Sequence, residues 1–179
     1  AAGKYIAIWV HVNDYVNHFT GNEKWLRKVI SHEMSHHFVF HSIQSWIDNF
    51  LPVSALSFPS NFNEGYAMFL SGENWGYGRS DASLRKAVYS NDIKDKYGDG
   101  FYYTLGFSMV RYLYEFYGLE KLQKLLQYRD EMGIYNFKKA FKKVYNKSYK
   151  NFKEEWRKYI YTYYYGTSYE LKTLHNSDS

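Results

Sequence analysis

The chain has 179 residues, 45% hydrophobic and 23% charged, with two prolines and no cysteine. That is the size and composition of one globular domain, which excludes disordered, collagen-like and proline-rich classes. The charge is uneven: residues 1–100 carry 9 Lys+Arg against 10 Asp+Glu, and residues 101–179 carry 14 against 8, so −1 and +6 make up the formal +5.

Residues 4–12, KYIAIWVHV, are β-branched and aromatic with partial alternation and read as a strand. Thr20 to Glu23 offers N-cap residues for a long helix from Trp25 to Phe50, where apolar residues recur at helical spacing until Leu51-Pro52. Residues 52–61 read as a loop bracketed by both prolines, and Asn63 to Ser71 as a second helix broken at Gly72. Ser80 or Asp81 caps a short helix through Tyr89. Phe101 to Tyr117 reads as a helix ended by Gly118, and Leu119–Arg129 and Tyr135–Tyr145 continue the pattern. Ser148 begins a last helix, with Phe152, Trp156, Tyr159 and Ile160 at core spacing. With 21 Tyr and 13 Phe in the chain, most rings are expected in the core or half-buried at its surface.

The chemistry concentrates in His32-Glu33-Met34-Ser35-His36, inside the first long helix. Histidines four apart sit about 40° apart around a helix and one turn on, so both imidazoles reach one cation. Glu33 then stands beside a water on that cation, the H-E-x-x-H arrangement of two zinc ligands and a general base. Without cysteine, any metal must be held by His, Asp or Glu, and a catalytic zinc needs a third protein ligand plus an open position. Glu64, in Asn63-Glu64-Gly65-Tyr66-Ala67, is the candidate, and the small Gly65 and Ala67 permit two helices to approach and share a metal. His37 and His41 fall off the ligand face and read as packing or capping histidines.

H-E-x-x-H followed by N-E-G-x-A resembles the gluzincin metallopeptidases. Their commonest members have a shorter connection than the 27 residues between His36 and Glu64. The closer resemblance is to the bacterial peptidase-MA-like family, whose second motif W-[LF]-x-E-G-x-A-x-[YF]-x-x-G appears here as FNEGYAMFLSG, residues 62–72. The segments YTLGFSMVRYL (103–113), YGLEKLQKLL (117–126) and FKKAFKKVYNKSYKNFKEEWRKYI (137–160) follow in that family's order, so the likeness spans roughly residues 24–165. With the strand read at residues 4–12, the expected fold is α+β, mainly α: a gluzincin-like catalytic domain over residues 1–165, with a short N-terminal β element and a helical C-terminal part. The resemblance implies Zn2+ on His32, His36 and Glu64, Glu33 as general base, and Tyr103 as donor to the oxyanion, with Tyr102 as the alternative. The G-x-M-E-N segment of gluzincin aminopeptidases is missing from residues 1–24, which favours internal cleavage of a peptide or protein substrate. An aminopeptidase, another zinc hydrolase and a zinc-holding binding module are the alternatives.

Residues 138–158 hold nine Lys+Arg against two Glu. The pairs 138/142 and 139/143 recur at helical spacing, which reads as a solvated helical face rather than a nucleic-acid or anionic-surface patch. No nucleic-acid partner is expected. No apolar run is long enough for a membrane span. Residues 166–179 read as a polar tail or a linker to a neighbouring domain, and the missing initial Met points to a processed chain or an excised domain. The absence of cysteine fits an extracytoplasmic bacterial protein, secreted or periplasmic.

Overall fold

The computed structural model describes residues 23–72, 78–89 and 100–165. Helix α1, Glu23–Ile43, carries the H-E-x-x-H segment. It stops seven residues short of the expected Phe50, because the chain re-caps at Ser45. The Ser45 N–H donates to Asp48 Oδ2 at 2.6 Å, opening a 3-10 turn over Trp46–Asn49. Asp48 Oδ1 accepts from the Ser54 N–H at 2.8 Å, and the Ser45 and Ser54 hydroxyls share a bond of 2.8 Å. These contacts turn the expected loop into structured chain. A short helix α2, Val53–Ser57, follows, and then α3, Ser60–Leu70, which carries Glu64.

Helix α4 spans Gly78–Tyr89 and α5 spans Gly100–Gln127. α5 is two helices joined at a kink. Gly118 interrupts it at φ 80°, ψ 166°, a left-handed φ that favours glycine. Helix α6, Phe137–Tyr145, starts under the Asn136 side chain, which accepts from the Lys139 N–H at 3.2 Å. Helix α7 is Tyr149–Tyr165, with the Ser148 hydroxyl accepting from the Asn151 N–H at 3.1 Å.

The fold differs from the α+β expectation. Among the described residues there is no strand, and the class they define is all-α. The expected strand at residues 4–12 lies outside the described residues. The layer behind α1 and α3 is a helix, α5, packed against both. At the crossing of α3 and α5 the backbones touch. A Cβ on Gly65 would stand 2.1 Å from the Gly106 carbonyl carbon, and one on Gly106 would stand 1.8 Å from the Asn61 carbonyl oxygen. Gly65 therefore serves the α3–α5 contact, not the α1–α3 approach that its place beside Glu64 suggested.

The core is aromatic, as expected. Phe62, Phe137, Phe141 and Phe152 are fully buried, and Phe58, Tyr66 and Tyr149 pack edge-on or tilted against them at 5.0–6.2 Å between centroids. Phe152, Trp156 and Ile160 of α7 are buried at the expected spacing. Arg129 joins two helix ends. Its guanidinium donates to the Ser42 and Gln44 carbonyls at the end of α1 (2.7 and 2.8 Å) and to the Leu126 and Tyr128 carbonyls at the end of α5 (3.1 and 2.8 Å). A cation is favoured where unpaired carbonyls end a helix.

Candidate metal centre

His32 and His36 project from one face of α1 toward the start of α3, where Glu64 stands in the second turn. His32 Nε2 is 3.1 Å from Glu64 Oε2 and 3.1 Å from His36 Nε2, and His36 Nε2 is 3.2 Å from Glu64 Oε2. The two imidazoles are perpendicular, with centroids 4.7 Å apart. Three donor atoms thus form a nearly equilateral triangle. A metal bound tetrahedrally by nitrogen and oxygen at about 2.05 Å has ligands about 3.3 Å apart along each edge. The triangle matches one face of that tetrahedron and leaves the fourth vertex to a water or substrate. Two neutral imidazoles and one carboxylate suit zinc. Among the described residues this is the one trio of His and acidic side chains gathered closely enough to hold an ion.

The electrostatics describe the site before metal binds. Burial pushes the Glu64 carboxyl up, but the hydrogen bonds and charges of His32 and His36 outweigh it and bring it down to about 2. Burial pulls His36 down. The bond to Glu64, its charge, the Asn63 side chain and the Glu33 charge together hold the imidazole above its ordinary value. The trio therefore pairs a carboxylate with a His36 imidazole held toward its protonated form, and a divalent cation would take that proton's place.

Glu33 is half-buried on α1 beside His32, and its charge reaches His36. Tyr103 is 41% exposed on α5, one turn before Gly106 and on the same helix face. Gly106 touches Gly65, the neighbour of Glu64, so the α5 segment that carries Tyr103 packs on the α3 segment that carries Glu64. The Tyr102 side chain lies outside the described residues. His37 and His41 are both exposed on α1, not packed as expected, and His41 sits in the last turn, where a cation suits the helix end. Phe40, where some gluzincins carry an orienting carboxylate, is 39% exposed.

Sequence reading gave no role to Asn63. Its buried Oδ1 has no hydrogen-bond partner of good geometry, nor has the buried His36 Nδ1, while its side chain raises His36. An amide oxygen beside a ligand imidazole is the kind of partner that fixes the ring's tautomer. Its position next to Glu64 in the sequence was the available signal. No protein-family model matches the chain, and neither a curated protein nor a solved structure does.

Proposed function

We propose that the chain is a zinc-dependent peptidase of gluzincin type, close in pattern to the peptidase-MA-like family. The observation that carries this reading is the triangle of His32, His36 and Glu64 at 3.1–3.2 Å, with a glutamate directly after the first histidine. Zinc on these three donors would supply an acidified water and polarise the scissile carbonyl. Glu33 is the base: its carboxylate receives the proton of the attacking water and passes it to the departing amine. The Tyr103 hydroxyl donates to the developing oxyanion, and its exposure leaves it reachable by a peptide. The Asn63 amide oxygen would accept from the His36 Nδ1–H when Nε2 holds the metal, fixing the tautomer.

The test is cleavage of a peptide mixture by the zinc-loaded chain, read by mass spectrometry, with bound metal quantified in parallel. Glu33→Gln should keep one zinc and lose cleavage by about 10³-fold or more. Glu64→Ala should lose zinc at least about 100-fold more readily. Internal cuts by wild type alone establish an endopeptidase, and trimmed ends establish an exopeptidase. Stoichiometric zinc without any cut, from wild type and Glu33→Gln alike, would leave a zinc-holding binding module. Full zinc affinity in Glu64→Ala would remove the third ligand from the assignment.

A further inference from the structure

The connection between the two metal-bearing helices displays apolar side chains outward. The four most exposed large hydrophobic side chains among the described residues are Leu56 (80%), Phe50 (79%), Met132 (69%) and Leu51 (60%), and Trp46 (55%) adjoins them. Three of the four, and Trp46, come from residues 46–56. Met132 belongs to the same edge, because its carbonyl accepts the Trp46 indole N–H at 2.8 Å. This is no slack loop. Asp48 ties Ser45 to Ser54, and the Tyr135 N–H donates to the Ser45 hydroxyl at 2.7 Å, so the backbone is pinned while the side chains face solvent. Clustered exposure of this kind marks a contact surface.

The charge beside it names the occupant. The Phe137 N–H donates to Ser57 Oγ at 3.2 Å, which sets the first turn of α6 against the residue after Leu56. On α6, Phe137, Ala140, Phe141 and Tyr145 are buried, and Lys138, Lys139, Lys142 and Lys143 are exposed. The neighbouring acids are few. Asp48 is held by Ser45 and Ser54, Asp130 pairs with Lys139 at 3.2 Å, and Glu131 is exposed. We propose that the Trp46–Leu56 edge, with Met132 and the α6 lysines, docks the protein onto anionic membrane surfaces. Trp, Phe and Leu enter the interfacial layer and the lysines meet lipid phosphates. A second copy is a poorer occupant, because a twofold contact here would bring two lysine clusters together. No helix among the described residues is long and apolar enough to cross a membrane. The docking depends neither on bound metal nor on the reaction proposed above.

The test is co-sedimentation of the full chain with phosphatidylcholine vesicles, with and without about 30% phosphatidylglycerol. Binding should be at least about tenfold tighter on the anionic vesicles. Phe50→Ser/Leu51→Ser/Leu56→Ser should weaken it at least about tenfold, with helical circular dichroism unchanged because these side chains are exposed. Lys138→Glu/Lys142→Glu/Lys143→Glu should abolish the anionic preference. No binding to either vesicle overturns the proposal. So does anionic binding that the triple serine variant leaves intact, which is plain charge adsorption. Self-association lost in that variant, without vesicle binding, would assign the edge to a second copy.

Discussion

At the scale of single residues, Glu64 is the centre of the site. Its carboxylate gathers both imidazoles at 3.1–3.2 Å, and they in turn hold its carboxyl down. A carboxyl brought down to about 2 contributes stability that is present above its unfolded value near 4.5 and lost as pH falls toward 2. His36, held above its ordinary value, contributes stability that is present below about 6.5 and lost as pH rises through its folded value. The metal-free site therefore stabilises the fold most between those limits, near pH 5–6. A metal needs both imidazoles neutral, so its stabilisation grows as pH rises. Thermal melts with and without zinc should show a larger zinc-induced shift at pH 8 than at pH 6. Equal shifts would mean that the histidines are not the ligands. The gathering of these three side chains was legible in sequence because it rests on local spacing: i and i+4 on one helix, and a carboxylate among small residues. Asn63 was not, because its role depends on the ring it faces across two helices.

At the scale of elements, two contacts position the site, and neither involves a residue of the candidate metal trio. The first is the crossing of α3 and α5. Ala at position 106 would drive a Cβ into the Asn61 carbonyl, whose nearest approach is 1.8 Å, and backbone cannot yield as a flexible side chain can. Gly106→Ala should cost about 3 kcal/mol or more, lowering the melting temperature by about 6–12 °C. An unchanged melt would mean that the helices are not in contact there. The second is Arg129. Its four hydrogen bonds finish α1 and α5 together, and Arg129→Met leaves those carbonyls without a cation. The expected loss is about 2–3 kcal/mol in chemical denaturation. A loss below about 0.5 kcal/mol would show that water serves these carbonyls equally well. Helix periodicity and glycine punctuation made most elements legible, including the break at Gly118 and the start of α7 at Ser148. The end of α1 was not legible, since Ser45, Asp48 and Ser54 re-cap the chain within a run that keeps helical spacing. Nor was Arg129, whose partners at Ser42 and Gln44 lie more than eighty residues away.

At the scale of the whole molecule, the two helices that carry the site also feed the core, through Val39 and Ile43 of α1 and Phe62 and Tyr66 of α3. The fully buried aromatic residues belong to α3, α6, α7 and the segment before α6, packed on the leucines of α5, whereas His32 and His36 stand on α1. The alternating strand-like pattern at residues 4–12 set the α+β expectation, but the described residues build their core from helices alone. Such a core holds its helices without a metal, unlike small domains in which the ion is the core. The bond that a metal adds is between α1 and α3, and it adds to contacts those helices already make. At a hundredfold excess over its dissociation constant, zinc should therefore contribute about 2.7 kcal/mol, or about 5–11 °C in melting temperature. Chelation with EDTA should remove that increment, leaving far-ultraviolet circular dichroism and a cooperative melt in place. His32→Ala/His36→Ala should melt alike with and without zinc. Collapse of the helical signal on chelation would mean that the metal organises α1 itself, and that α5 and Arg129 do not suffice to hold it.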